Sequence, residues 1–149
     1  MQDETERREP PPIEDRDELL ARLDPALQPG RFVFLRLPEA APPPPDALAV
    51  FREPEGPSAI LELERAEELG LLPAGSADAC FRWIVLRVHS SLTAVGLTAA
   101  VAARLAEEDI PANVVAALRH DHLFVPEPLA ARALEALRRL QHESPAAKE

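Results

Sequence analysis

The sequence predicts an α+β fold made of two related halves, with antiparallel sheets that carry helices on one face. Residues 31–37 and 81–88 are nearly continuous runs of apolar and β-prone residues, which is typical of strands covered by other structure. Each run is followed by two shorter strand patterns and a helix pattern. The chain therefore reads as one kind of unit repeated within 149 residues, a length that suits one ordinary domain or two very small ones.

The first half lacks one helix. Residues 1–14 show no apolar periodicity and are predicted to form a mobile acidic tail. After the strand at 31–37, four consecutive prolines stand where a helix is expected, and they predict a loop because proline cannot donate a ladder hydrogen bond. The turn Glu53-Pro54-Glu55-Gly56 carries Pro and Gly where a type I turn prefers them. In chain order, the predicted elements are a helix over 15–23, strands over 31–37, 48–52 and 59–63, a helix over 65–69 and a linker over 72–79.

The second half has no strand after its last helix. Its first strand is followed by a connector over 89–96 and then by a helix in which Leu97, Val101 and Leu105 recur every four residues. Pro128 suits the first turn of a second helix. In chain order, the predicted elements are a strand over 81–88, a helix over 97–107, strands over 113–118 and 123–125 joined by residues 119–122, and a helix over 128–140.

These elements divide the chain into four parts. They are an acidic tail with a short helix (1–24), an N-terminal half without its first helix (25–79), a C-terminal half (80–143) and a polar tail (144–149). A β–α–β–β–α–β unit is the ferredoxin-like motif, of which each half is an incomplete tandem copy. Either strand 81–88 closes the first copy and opens the second, or a strand of the first half completes the second sheet. We expect six strands, with 31–37 and 81–88 internal and the two longer helices on one face.

Five sequence motifs resemble those of a small bacterial family with tandem ACT-like domains and no established activity. They are Val88-His89-Ser90-Ser91-Leu92, residues 94–101 (AVGLTAAV), Asn113-Val114-Val115-Ala116, residues 120–126 (HDHLFVP) and, more weakly, residues 51–56 (FREPEG). The resemblance covers roughly residues 24–140 and implies an ACT-like version of the ferredoxin-like fold. It also implies what ACT domains do in general, which is to bind small molecules, commonly amino acids, in regulatory roles and often at domain or subunit interfaces.

Charge and cysteine content exclude several classes of function. Asp and Glu number 26 against 16 Lys and Arg, so the chain lacks the cationic surface that nucleic acid or an anionic membrane requires. It has no 18-residue apolar run that predicts a membrane span. The single cysteine, Cys80, excludes an intramolecular disulfide and a multi-cysteine zinc site, and it suits a reducing compartment. We therefore expect a cytoplasmic protein that binds neither nucleic acid nor membrane.

The connector before helix 97–107 is the first candidate ligand site. Helix N-termini carry unpaired N–H groups and a partial positive charge, and a glycine there lets a ligand approach the backbone closely. A carboxylate, such as that of an amino acid, fits this place, although Ser or Thr capping the helix explains the same pattern. The site predicted here consists of Ser90, Ser91, Thr93, Ala94, Val95 and Gly96. At the hairpin turn, Glu53 and Glu55 are candidates for the ammonium group of the same kind of ligand.

The histidines give a third candidate. His89, His120 and His122 together with Asp121 contain the donor types of a metal site. Two histidines that flank one residue in a tight turn do not readily reach one ion, so the interpretation preferred here is that Asp121 shapes the turn and the imidazoles bond to neighbouring groups. Trp83 is assigned to core packing. We expect no tightly bound zinc and no cofactor.

The function predicted from the sequence is a non-catalytic regulatory protein that binds a small molecule, with an amino acid as the expected ligand. An alternative is an assembly or adaptor protein, since incomplete units leave sheet edges that pair with another protein or with a second copy in a homodimer. A third reading is a metal-dependent enzyme that uses the His cluster. Three measurements distinguish these hypotheses. They are the binding of a small-molecule ligand, association with a partner through sheet edges, and metal content.

Overall fold

A computed structural model describes residues 9–72 and 79–148. Its elements agree closely with the predicted ones, and the predicted linker over 72–79 lies largely outside the described residues. The strands are β1 (Pro25–Leu27), β2 (Phe32–Arg36), β3 (Ala49–Glu53), β4 (Gly56–Glu62), β5 (Phe81–Leu86), β6 (Asn113–Ala116) and β7 (Asp121–Pro126). The α-helices are α1 (Arg16–Ala21), α2 (Leu63–Glu68), α3 (Leu97–Glu107) and α4 (Ala130–Glu143).

The strands form one antiparallel sheet in the order β3-β4-β2-β5-β7-β6, and β1 pairs with β5 beside β2. The two long apolar strands, β2 and β5, are internal, as predicted. The expectation of six strands was wrong by one, because β1 is an additional strand. It has three residues and begins at a proline, and so short a segment shows no alternating pattern that identifies a strand.

Strand β5 serves both halves of the molecule. Its end pairs with β1, with Leu27 opposite Ile84. Its beginning pairs with β2, with Phe32 opposite Phe81. Both arrangements left open by the sequence are therefore present. Strand β5 pairs with β2 of the first half, and β1, which also belongs to the first half, pairs with β5 of the second.

All four helices lie on one face of the sheet. The inward residues of β5 and β7, such as Ile84 and Leu123, share a core with α1, α3 and α4. Strand β2 contributes Val33 and Leu35 on the same face, where they pack with α2. The predicted placement of the two longer helices on one face is confirmed. In addition, α1 packs into the core of the C-terminal half, although it lies at the N-terminal end of the chain.

Both predicted tails contain ordered contacts. Ile13 forms a parallel bridge with Ser90: Ile13 N donates to His89 O at 2.9 Å, and Ser91 N donates to Ile13 O at 3.0 Å. At the other end, residues 145–148 form a 3₁₀ turn that contacts α1, and Ser144 Oγ donates to the Asp17 carbonyl at 2.9 Å. The prediction of a mobile tail over 1–14 is thus wrong for residue 13, because its partners lie far along the chain and the composition of the tail gives no indication of them.

The other face of the sheet carries no helix among the described residues, and it carries every aromatic side chain. The chain has five Phe and one Trp. Strand register places all six on this face, namely Phe32, Phe34, Phe51, Phe81, Trp83 and Phe124. We call this surface the aromatic face. Trp83, which the sequence analysis assigned to core packing, lies on this face, half-buried and packed against the buried cluster of Phe32, Ile60 and Phe124. The alternation of side chains along a strand assigns residues to two faces, but it does not indicate which face the helices cover.

Candidate functional site

A groove on the aromatic face lies beside the β3–β4 hairpin. It has a volume of about 490 Å³, within the range of pockets that hold small molecules. Its apolar floor includes Phe34 and Phe51, which are 46% and 43% exposed. Arg36, Glu53 and Glu55 also line it. The groove therefore combines one cationic side chain, two carboxylates and an aromatic surface.

Hairpin geometry positions the charges of the groove. Arg36 ends β2, and its Nη2 donates to the Glu55 carbonyl at 2.7 Å, which ties the guanidinium to the turn. The same Nη2 lies 4.0 Å from Glu39 Oε1, and the Arg36 side chain as a whole is exposed. Gly56 has φ +124°, a conformation that side chains rarely adopt, and it lets the chain reverse within two residues. Within the described residues, Glu53 and Glu55 form no ion pair.

The connector predicted as a ligand site encloses little free volume. The cavity there, lined in part by Ser90, Ser91 and Asp121, has a volume of only about 70 Å³. Its hydroxyl groups already bind a carboxylate of the chain, because Thr93 Oγ1 donates to Glu14 Oε1 at 2.9 Å. Hydrogen bonds from Ser91 and Thr93 lower the pKa of Glu14, so this carboxylate is ionised at neutral pH.

The side chain of Arg16 covers the start of α3. Gly96 precedes the helix with φ +104°, and no side chain caps the helix by a hydrogen bond. A Cβ at Gly96 would lie 2.8 Å from Cδ of Arg16. The glycine is therefore needed for its backbone conformation and for the packing of Arg16. In the same connector, Ala94 packs against the core, whereas Val95 is 84% exposed.

Asp121 is a buried carboxyl group in strand β7. The turn that joins β6 and β7 closes with Ala117 N donating to His120 O at 3.1 Å, two residues earlier than predicted. Asp121 therefore does not shape the turn, as the sequence interpretation had it, but starts the strand on the helix side of the sheet. Burial raises its pKa, and the hydrogen bond from Ser90 Oγ, at 3.3 Å, opposes that rise.

The three histidines do not converge on one point. His122 stacks on Trp83 on the aromatic face, with Trp83 Nε1 donating to His122 Nδ1 at 3.1 Å. His120 Nδ1 lies 3.3 Å from the Val88 carbonyl oxygen, and its ring centroid is 6.5 Å from that of His89. Among residues 9–72 and 79–148, no group of three His, Cys, Asp or Glu side chains is arranged to hold a metal ion.

Sequence reasoning found half of the groove. It identified Glu53 and Glu55 through the turn as candidates for the ammonium group of an amino acid, and the structure places them in a cavity separate from that of the connector. It missed Arg36, Phe34 and Phe51. Alternation along the strands places Phe34 and Arg36 on one face, but no local signal shows that β3 and β2 flank β4 and so bring Phe51 to that face.

Family models identify both halves. One ACT domain model matches residues 11–77, and a second ACT domain model matches residues 81–139. The chain belongs to the ACT domain family. It carries two ACT domains in tandem, and ACT domains commonly bind small molecules such as amino acids in regulatory, typically non-catalytic, roles. No curated protein gives a significant match.

Solved structures share the fold of this chain. A protein of unknown function from Vibrio cholerae, named a possible transport protein, is 42% identical, and the match covers 84% of this chain and 94% of that one with a TM-score of 0.71. A protein from Agrobacterium tumefaciens shares the fold at 17% identity over 78% and 87% of the two chains, with a TM-score of 0.57. Aspartokinase alpha and beta subunits share it at 14% identity over 78% and 95%, with a TM-score of 0.53.

The tandem ACT domains contain no candidate membrane span in the described part of the chain, since none of its helices combines the length and the apolar character that a bilayer requires.

Proposed function

We propose that this tandem ACT protein is a non-catalytic regulator that binds an amino acid in the groove beside the β3–β4 hairpin. The observation that carries the proposal is the chemistry of the groove. It places a guanidinium, two carboxylates without an ion-pair partner among the described residues and an exposed aromatic surface around about 490 Å³. An amino acid presents the complementary groups, which are a carboxylate, an ammonium and a side chain.

Each group of the ligand has a matching side chain in this proposal. The α-carboxylate pairs with Arg36, whose fork of donors suits a carboxylate and gives a charge-assisted hydrogen bond. The ammonium lies near Glu53 and Glu55. The ligand side chain lies on Phe34 and Phe51, and this contact favours apolar or aromatic amino acids, because it removes apolar surface of both partners from water.

The environment of the single cysteine does not favour nucleophilic catalysis. Cys80 is buried, and its Sγ lies 2.9 Å from Glu127 Oε2. Burial, followed by the neighbouring carboxylate, raises the pKa of the thiol, so the reactive thiolate is disfavoured at neutral pH. Its environment is therefore the reverse of the cationic surroundings that activate a cysteine.

Thermal unfolding in the presence of each of the twenty amino acids tests the proposal. A ligand at about 100 times its dissociation constant stabilises the folded state by about 2.7 kcal/mol. For a chain of this length that raises Tm by roughly 5–10 °C. No stabilisation by any of the twenty at millimolar concentration would reject amino-acid binding.

Paired variants locate the site. Glu53→Gln removes a carboxylate of the groove and should weaken binding about tenfold, since a charge-assisted contact contributes roughly 1.5–3 kcal/mol. Glu64→Gln, an exposed change whose carboxylate lies 3.8 Å from Arg31, removes the same charge elsewhere and should leave affinity unchanged. Equal effects of the two variants would show that net charge, and not the groove, determines binding.

The connector is a second candidate, supported by one observation. The hydroxyl of Thr93 already donates a hydrogen bond to a carboxylate, that of Glu14. An external carboxylate at this position replaces that of Glu14. Thr93→Val distinguishes the two sites: it should weaken binding at the connector and leave binding at the groove unchanged. Conversely, Glu53→Gln should affect the groove alone.

A further inference from the structure

The aromatic face is an unusual surface for a chain of this composition. Phe32 and Phe124 are buried within it, in edge-to-face contact with a centroid distance of 6.2 Å. Phe34 packs edge-on against Phe81 at 5.1 Å and still leaves 46% of its surface exposed. Phe51 on the edge strand is 43% exposed. The face is thus a preformed aromatic layer whose outer surface remains in contact with water.

Charged side chains are few on this face, although the chain has a net charge of −10. Strand register places three Asp, Glu, Lys or Arg side chains on it, namely Arg36, Glu53 and Glu62. All three end their strands: Arg36 and Glu53 lie beside the β3–β4 hairpin, and Glu62 lies opposite Phe32. Protein interfaces have the same character, with charged residues depleted at the centre and aromatic residues enriched.

We propose that a second copy of this chain covers the aromatic face, sheet against sheet, to form a homodimer. Two copies that each carry a charge of −10 repel one another across most of their surfaces. The aromatic face is where they can meet with little charge opposed to charge. A basic partner, in contrast, would be attracted to the acidic surfaces and not to this face.

The size of the face fits this occupant. Six strands spaced about 4.8 Å apart, each about 17 Å long, present on the order of 500 Å² per copy in projection. Two copies thus bury about 1,000 Å², which is at the lower limit for a specific interface. The expected assembly is therefore a dimer that dissociates on dilution, not a permanent one.

The dimer also encloses the proposed ligand groove, a consequence that rests on the proposed function. Phe34 and Phe51 line the groove and belong to the aromatic face. A second copy on that face supplies a wall for the groove, so an amino acid bound there should tighten dimerisation. Dimerisation itself needs no ligand, and its test is made without one.

Sedimentation of the full chain from about 1 to 200 µM, without added amino acid, measures the dimer directly. A matched pair of variants on one edge strand locates the interface. Phe51 lies on the aromatic face, whereas its neighbour Val50, which is 40% exposed, lies on the helix side. Phe51→Glu should weaken the dimer at least about tenfold, and Val50→Glu, with the same added charge, by less than about twofold.

Trp83 emission provides a second measurement that needs no variant. Trp83 is the only tryptophan, and the chain has no tyrosine, so intrinsic emission reports on the aromatic face. Dilution of the wild-type protein should shift this emission to the red with the same midpoint as sedimentation. A monomer at every concentration would overturn the proposal. So would a dimer that both glutamate variants weaken equally, which indicates pairing through the β3 edge, or one that Phe51→Glu leaves intact. Groove binding by a protein that stays monomeric would reject this inference and leave the proposed function standing.

Discussion

Replacing Leu19 by alanine tests whether α1 is part of the core of the C-terminal half. Leu19 has no exposed surface and packs in the same cluster as Ile84, Val101 and Leu137. Truncating a fully buried leucine to alanine costs about 2–5 kcal/mol, from lost burial and from the cavity that remains. Because α1 has only six residues and can shift toward the cavity, we expect about 3 kcal/mol.

Urea unfolding followed by Trp83 emission and by circular dichroism measures this loss. For a chain of this length, 3 kcal/mol corresponds to a fall in Tm of roughly 6–12 °C. Leu92→Ala is the matched control, because that leucine is 66% exposed, and it should cost less than about 0.5 kcal/mol. A loss below about 1 kcal/mol for Leu19→Ala would refute the docking of α1, as would equal losses in the two variants.

Three further predictions concern His122, Gly96 and metal content. Burial lowers the pKa of His122, so the free energy of unfolding should fall as pH drops below about 6.5, where the unfolded chain gains the proton first. The His122→Gln variant should show a smaller fall in urea midpoint over that range than the wild-type protein, and an identical fall would contradict the prediction. Gly96→Ala should lower the free energy of unfolding by about 1–3 kcal/mol, because of the φ of +104° and the close approach to Arg16. The loss should exceed that of Gly70→Ala, whose Cβ meets nothing within 4 Å among the described residues, and the reverse order would contradict the prediction. Elemental analysis of protein purified without added metal should find no stoichiometric zinc, because the imidazoles do not converge.

Long, strongly patterned elements could be predicted from the sequence. Helix α3 was predicted with its observed bounds, because its apolar residues recur every four positions and its glycine precedes it. Strands β2 and β5 were predicted as internal from their apolar runs. In each case the signal is carried by consecutive residues, so no knowledge of distant contacts is needed.

Partners that are distant in sequence could not be predicted. Strand β1 is defined by its pairing with β5, about 60 residues further along the chain, and nothing in Pro25–Leu27 alone indicates a strand. The same holds for Glu14, whose carboxylate accepts a hydrogen bond from the connector, where the sequence analysis expected the carboxylate of an external ligand. Local composition described both segments as polar or irregular, whereas tertiary contacts determine their role.

The candidate site illustrates the same division. Turn chemistry pointed to Glu53 and Glu55, because Pro and Gly at fixed spacing identify a hairpin. Arg36 and the aromatic floor come from other strands, and only the order β3-β4-β2 brings them beside that turn. Replacing Gly96 by valine as a test of the connector would strain the backbone at a φ of +104°, so that variant reports on folding as well as on binding.

The most direct test of the account is a crystal structure of the protein bound to the amino acid that raises Tm most. The account predicts that the ligand lies in the groove beside the β3–β4 hairpin, with its carboxylate at the guanidinium of Arg36 and its ammonium near Glu53 or Glu55. A ligand bound at the connector, or elsewhere on the protein with an empty groove, would contradict it.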